Sequence, residues 1–267
     1  MKYLNIISYE IMRNLAAPIY RLVRGIPNIR ASGFEPDIPI RRAKKILRTN
    51  GLGFDDKGIP RWWYTAFDGR NTNDQLTQAE LNYIINNIPK EADILVTGCG
   101  VGLTTIWLAQ KGYTKIEGFD YLDNVVLSAK QIARLANVKI KYWQADGFKP
   151  GLTKNYDCIT ALHWVYSAWM GNYGNTPVVD GDREKILTQF LQQYSPHLNS
   201  GGVMLIELIN AHLDYSYPPY NDYPIRQNFE QVRKAAELNN LFIKQIVTSL
   251  NGYRPSVILY VLQKMGS

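Results

Sequence analysis

The sequence is poor in the residues that build cross-links and metal sites. Two cysteines, Cys99 and Cys158, and three histidines among 267 residues make neither a disulfide framework nor a metal-ligand spacing. No apolar run approaches the ~20 residues that a membrane-spanning helix needs. The opening Met1-Lys2-Tyr3-Leu4-Asn5 does not lead into a compact apolar stretch with a small-residue cleavage site, so no leader is expected and cytoplasmic residence is the default. Internal repeats and low-complexity tracts are missing too. What remains is an ordinary globular composition, 46% hydrophobic and 20% charged, long enough for one large domain or one domain with an elaborated N-terminus.

The net charge of +7 is unevenly placed. Residues 1–50 hold ten Lys or Arg, among them Arg41, Arg42, Lys44, Lys45 and Arg48, against Glu10, Glu35 and Asp37. The rest of the chain is balanced. A basic segment attracts anions over roughly a Debye length, ~8 Å at physiological salt, but it does not say which anion, and a merely solvated face has the same composition.

Periodicity divides the chain. Leu4, Ile7, Ile11, Leu15, Ile19, Leu22 and Val23 recur at helical spacing, which predicts an amphipathic helix over 4–24. A second, strongly basic helix is predicted over 40–49. The stretch from Gly51 to Asn73 reads as loop and gathers Trp62, Trp63, Tyr64 and Phe67. A helix at 76–88 ends before Pro89. From Ala92 onward short apolar runs alternate with helical segments, the pattern of a parallel sheet covered on both faces. Two terminal strands flank Asn251-Gly252 as an antiparallel hairpin. Residues 1–75 are therefore expected to form a basic helical and aromatic cap, and residues 76–267 an α/β domain.

The strongest motif is Ile94-Leu95-Val96-Thr97-Gly98-Cys99-Gly100-Val101-Gly102-Leu103, a strand running into a glycine-rich turn and then a helix. Glycine allows a tight turn and lets a ligand approach the backbone. Dinucleotide binders use G-x-G-x-x-G, whose third glycine would fall at Leu103, so the spacing here differs. Two acids follow at strand ends. Asp120 closes Lys115–Asp120, where a carboxylate can accept both ribose hydroxyls. Asp146 follows Ile140–Trp143, where an acid can accept from an adenine amine.

On these residues the segment 93–209 resembles the class I, Rossmann-like S-adenosylmethionine-dependent methyltransferases. The resemblance implies a seven-stranded, mostly parallel sheet with helices on both faces, a C-terminal antiparallel hairpin and a helical N-terminal extension. It implies S-adenosylmethionine as cofactor, with Gly98, Gly100 and Gly102 against the methionine moiety, Asp120 at the ribose and Asp146 with Gly147 at the adenine. Tyr121 and Leu122 would pack on the adenine or ribose, and His163 would line cofactor and acceptor. One departure stands out: the family commonly carries an acid two residues before the first glycine, and this chain has Val96.

Methyl transfer from a sulfonium is an in-line displacement governed by positioning, and a hydroxyl acceptor gains from a general base. His163, after the fourth strand, and His212, after the fifth, are the candidate bases. His197 reads as structural, and Glu207 as a paired acid in the fifth strand. Tyr166 and Trp169 in one loop, with Tyr217, Tyr220 and Arg226 in another, are candidate acceptor contacts. Tyr217-Pro218-Pro219-Tyr220 is similar to the Asn/Asp-Pro-Pro-Tyr motif of amino-methylating nucleic-acid enzymes but starts with Tyr and stands after the fifth strand rather than the fourth. The end of the fourth strand lacks the acid of metal-dependent relatives, so no metal is expected. The resulting expectation is an O-methyltransferase acting on a small, anionic acceptor such as a nucleotide-linked sugar. An RNA or protein methyltransferase using the basic arm, and a catalytically silent protein touching a membrane surface through its first helix, are the alternatives. The oligomeric state is not encoded in any motif.

Overall fold

The computed structural model describes residues 34–67, 75–162, 164–165, 172–173, 176–177, 183–207, 225–251 and 254–266. The expected helix over 4–24 lies outside them, as do His163, Tyr166, Trp169, His212, Tyr217 and Tyr220.

The apolar runs become the strands of one sheet: β1 (Asp93–Thr97), β2 (Lys115–Asp120), β3 (Lys141–Gln144), β4 (Tyr156–Ala161), β5 (Leu198–Ile206), β6 (Leu241–Asn251) and β7 (Arg254–Lys264). Their spatial order is β3-β2-β1-β4-β5-β7-β6. Parallel pairs link β3 to β5, whereas β7 runs antiparallel to both β5 and β6. The order reverses between β1 and β4, and ligands of open α/β sheets bind at the carboxyl ends of the strands around such a point.

Helices fill both faces. Neighbouring strand residues point to opposite sides, and the packing shows it. Ile94 and Val96 join one apolar core and Leu95 the other. On the first face lie α1 (Ile40–Thr49), α3 (Gln75–Asn87), α4 (Leu103–Gln110) and α5 (Asp123–Leu135). The second face carries α6 (Arg183–Tyr194) and α7 (Ile225–Glu237). α5 buries Val125, Val126, Ala129, Ile132 and Ala133, the one-sided stripe that a 3.6-residue period produces.

Three differences from the expected elements have local causes. The stretch 51–73 is not all loop: α2 (Trp62–Thr65) forms a single helical turn, with Tyr64 and Thr65 buried. β5 begins at Leu198 rather than Val203, because Leu198 pairs with Tyr156 before a register shift admits the pair Cys158 and Val203. Glu207 stands just past β5 rather than within it. Among the described residues, no helix is long and apolar enough to cross a membrane.

The cap is tied down by specific contacts. Asn50, closing α1, donates to Ser128 Oγ at 2.8 Å and Gln131 Oε1 at 3.0 Å on α5, and Asn124 donates back to its carbonyl. At the other end of α1, the Asp37 N–H donates to Gln110 Oε1 at 2.8 Å, at the last residue of α4. Within the cap, Tyr64 packs against Phe54 with ring centroids 4.8 Å apart, and Lys44 Nζ sits 4.5 Å from the Tyr64 ring.

The amino-terminal ends of the strands carry an ion network. Lys154 Nζ meets Asp93 Oδ1 at 2.7 Å and Glu117 Oε1 at 3.0 Å, and Tyr156 donates to Glu117 Oε2 at 2.9 Å. His197, in the turn before β5, pairs through Nδ1 with the Lys154 carbonyl at 3.0 Å. It serves the fold, as its position in the sequence indicates.

Candidate active site

β1 delivers the glycine turn to the reversal point. Gly98, Gly100 and Gly102 all have positive φ, at 61°, 55° and 84°. This left-handed region is costly for residues with a Cβ. Space is restricted as well. A Cβ on Gly98 would run into the indole of Trp164, and one on Gly102 would lie 2.5 Å from the Tyr142 hydroxyl. At Gly100 the nearest group is different: Trp63 Nε1 from the cap, 3.8 Å from where a Cβ would stand.

The loop is braced from below. Tyr142 on β3 hydrogen-bonds Thr105 Oγ1, which itself donates to the Gly102 carbonyl at 2.9 Å. Burial pushes the Tyr142 phenol well up, so it stays protonated and able to donate. From the other side, Trp164 Nε1 donates to Thr97 Oγ1 at 2.8 Å, and Thr97 donates to the Thr160 carbonyl. Trp164 also meets Phe148 and Phe190 edge-on.

Asp120 sits at the tip of β2 with its carboxylate turned to the loop. Oδ2 accepts the Gly100 N–H at 3.0 Å, and Oδ1 accepts the Leu122 N–H at 3.1 Å. Burial raises its pKa, only partly opposed by the N–H groups of Leu122, Gly100 and Tyr121. The backbone donors of the turn are largely consumed: Cys99 N–H bonds the Phe119 carbonyl, Gly100 N–H bonds Asp120, and Gly102 N–H bonds the Cys99 carbonyl. Cys99 itself is buried, and burial with the nearby Asp120 charge pushes its thiol up. It is packing, not a nucleophile.

The remaining sequence-predicted residues divide. Tyr121 and Leu122 follow Asp120 with 45% and 37% of their surface exposed. Asp146, just beyond β3, accepts the Phe148 N–H at 2.8 Å, and the carbonyl of buried Gly147 accepts from Tyr194 at 2.6 Å. Arg226 lies in the first turn of α7. Glu207 is buried directly after β5. Trp63, Tyr142, Thr105 and Trp164 had no assigned part in the cofactor site; the Trp62-Trp63-Tyr64 run was the one signal pointing to the cap.

An adenosylmethionine-sized donor fits this arrangement on two observations. A half-buried carboxylate stands at the tip of β2, and the glycine turn beside it leaves Gly100 open where a side chain would close it. Asp120 would hold the ribose, Asp146 and Gly147 the adenine, and the glycine turn the methionine tail.

Comparison with known proteins bears on the family and the donor. The methyltransferase-domain profile matches residues 70–246. An archaeal relative from Methanocaldococcus jannaschii, provisionally named a protein N5-glutamine methyltransferase, is 34% identical over 122 residues, which are 44% of this chain. The match spans 61% of that relative's length. Among solved structures, the fold is similar to magnesium protoporphyrin IX methyltransferase of Synechocystis with bound S-adenosylhomocysteine (TM-score 0.52, 16% identity, 84% of this chain and 99% of that one). It is also similar to an S-adenosylmethionine-dependent methyltransferase of Clostridium acetobutylicum (TM-score 0.53, 16% identity, 75% and 97%). With the glycine turn, the two strand-end acids and the strand order all in place, this chain belongs to the class I S-adenosylmethionine-dependent methyltransferase family.

Proposed function

We propose that the protein transfers a methyl group from S-adenosylmethionine to a hydroxyl of a small, ring-bearing, anionic acceptor. The observation that carries this reading is the end of β4. There the chain continues Leu162-His163-Trp164, and the Trp164 indole is hydrogen-bonded to Thr97 and packed over Gly98. Nucleic-acid enzymes that methylate amino groups present Asn/Asp-Pro-Pro-Tyr at that place, and this chain does not; the glutamine activity is that of the archaeal relative's name, whose match reaches 44% of this chain. His163 and His212 remain the proposed bases, with acceptor contacts from Tyr166, Trp169, Tyr217, Tyr220 and Arg226.

The chemistry of this chain is then mostly positioning. The donor supplies an electrophilic methyl group. Asp120 and the turn fix where it lies, and a histidine accepts the acceptor's hydroxyl proton.

The anion preference narrows to part of the cap. Arg41 and Arg42 stand in the first turn of α1, beside the Asp37 contact to Gln110. α4 leaves the glycine turn and reaches Gln110 after 8 residues, about 12 Å at 1.5 Å per residue. Arg61, two residues before the Trp63 that faces Gly100, is exposed and suits an acceptor phosphate better.

Incubation with methyl-labelled S-adenosylmethionine and a panel of hydroxylated phosphate esters, free protein and RNA tests the proposal. Label in the small-molecule fraction, in base-stable ether linkage, supports it. Label confined to protein or RNA, with turnover falling steeply as salt rises, would replace it with the macromolecular reading.

A further inference from the structure

We infer that Trp63, from the N-terminal cap, donates its indole N–H to the carboxylate of the cofactor's amino-acid tail. This rests on the proposed donor. It adds a binding residue that lies outside the matched methyltransferase segment, which begins at residue 70.

Four observations converge on Trp63. Its Nε1 is 3.8 Å, and its Cδ1 3.9 Å, from the position a Cβ would take on Gly100, so the polar edge of the ring faces the turn. The ring body packs against the core, which fixes its orientation. No acceptor for Nε1 exists among the described residues, whereas the neighbouring Trp164 spends its N–H on Thr97. Finally, the turn has few donors to spare, because the N–H groups of Cys99, Gly100 and Gly102 are already bonded within the protein.

Chemistry selects the group. An indole N–H only donates, so it needs an acceptor. The cofactor's sulfonium and ammonium have none to offer. Asp120 and Asp146 serve the ribose and adenine. The tail carboxylate is the anion left, and it would lie along Gly100. Val96, where the family commonly carries an acid, leaves that end of the site without a competing negative charge. A donor from the cap also means that cofactor affinity depends on the cap being seated on α5 through Asn50.

Calorimetric titration of the full chain with S-adenosylmethionine and with its decarboxylated form, in wild type and Trp63→Phe, tests the inference. Phenylalanine keeps an aromatic body and removes the donor. The expected result is about a tenfold loss of affinity for S-adenosylmethionine, the scale of one hydrogen bond to a charged group, with affinity for the decarboxylated ligand held within about twofold. Equal losses for both ligands would overturn it, since the ring would then act through shape alone. No loss for either would overturn it as well. If wild type binds neither ligand, the donor assignment itself fails, an outcome visible before any variant is made.

Discussion

The Asp120 carboxylate accepts the Gly100 N–H at 3.0 Å, joining the two strand ends that frame the cofactor cleft. The acid at the tip of β2 is thereby held facing the turn after β1, with its second oxygen on Leu122. On the proposed ribose role, ligand and loop are coupled through one side chain: a change at Asp120 removes the proposed ribose acceptor and loosens the turn together.

The glycines of the turn differ from other left-handed glycines in what surrounds them. Gly98→Ala meets both a φ of 61° and the Trp164 ring. Gly51→Ala meets a φ of 74° but nothing within 4 Å. Backbone strain alone costs about 1–3 kcal/mol, and overpacking adds a similar amount. Denaturant unfolding should therefore show Gly98→Ala less stable than Gly51→Ala by about 1–3 kcal/mol. Equal losses would mean that Trp164 swings away without cost.

Tyr142→Phe deletes the hydroxyl that bonds Thr105 and leaves the ring in place. The Thr105 hydroxyl keeps its bond to the Gly102 carbonyl, so unfolding free energy should fall by only about 1 kcal/mol. S-adenosylhomocysteine affinity should weaken by a few-fold through a looser turn. A stability loss without any change in affinity would limit Tyr142 to packing.

Acid should destabilise the fold through the ion network at the amino-terminal ends of the strands. Burial raises the carboxyls of Asp93 and Glu117, but the hydrogen bonds and charge of Lys154, with Tyr156 on Glu117, hold both below their usual 3.8 and 4.5. A folded-state value below the unfolded one means stability that is fully present above the unfolded pKa and lost as pH falls through the folded one. Lys154→Met should thus cost about 1–2 kcal/mol at neutral pH, discounted because the Lys154 side chain is 38% exposed. It should also flatten the loss of stability below about pH 4.5. Urea unfolding between pH 3 and pH 7 reads both effects; unchanged steepness in the variant would remove Lys154 as the cause.

The parts legible in the sequence were those set by period and by backbone geometry. α4, over Leu103–Gln110, follows from the apolar run after the glycine turn, and the turn itself from its spacing. Asp120 and Asp146 were readable because one ends β2 and the other stands two residues past β3. Side-chain partners across elements were not: Trp164 on Thr97 spans 67 residues of chain, and Trp63 reaches Gly100 from a segment that reads as loop. The first depends on strand pairing and the second on how the cap docks on α5, and no periodicity within either segment encodes its partner. The register shift that extends β5 back to Leu198 is equally hidden, because Asn199-Ser200-Gly201-Gly202 has the composition of a turn.

Calorimetric titration of S-adenosylhomocysteine into wild type and Asp120→Ala tests the central claim most directly. Wild type should bind, and the variant should lose about 1.5–3 kcal/mol for each charge-assisted hydrogen bond removed, tenfold or more in affinity. Unchanged binding in Asp120→Ala, or none in wild type, would contradict the assignment of this cleft to the methyl donor.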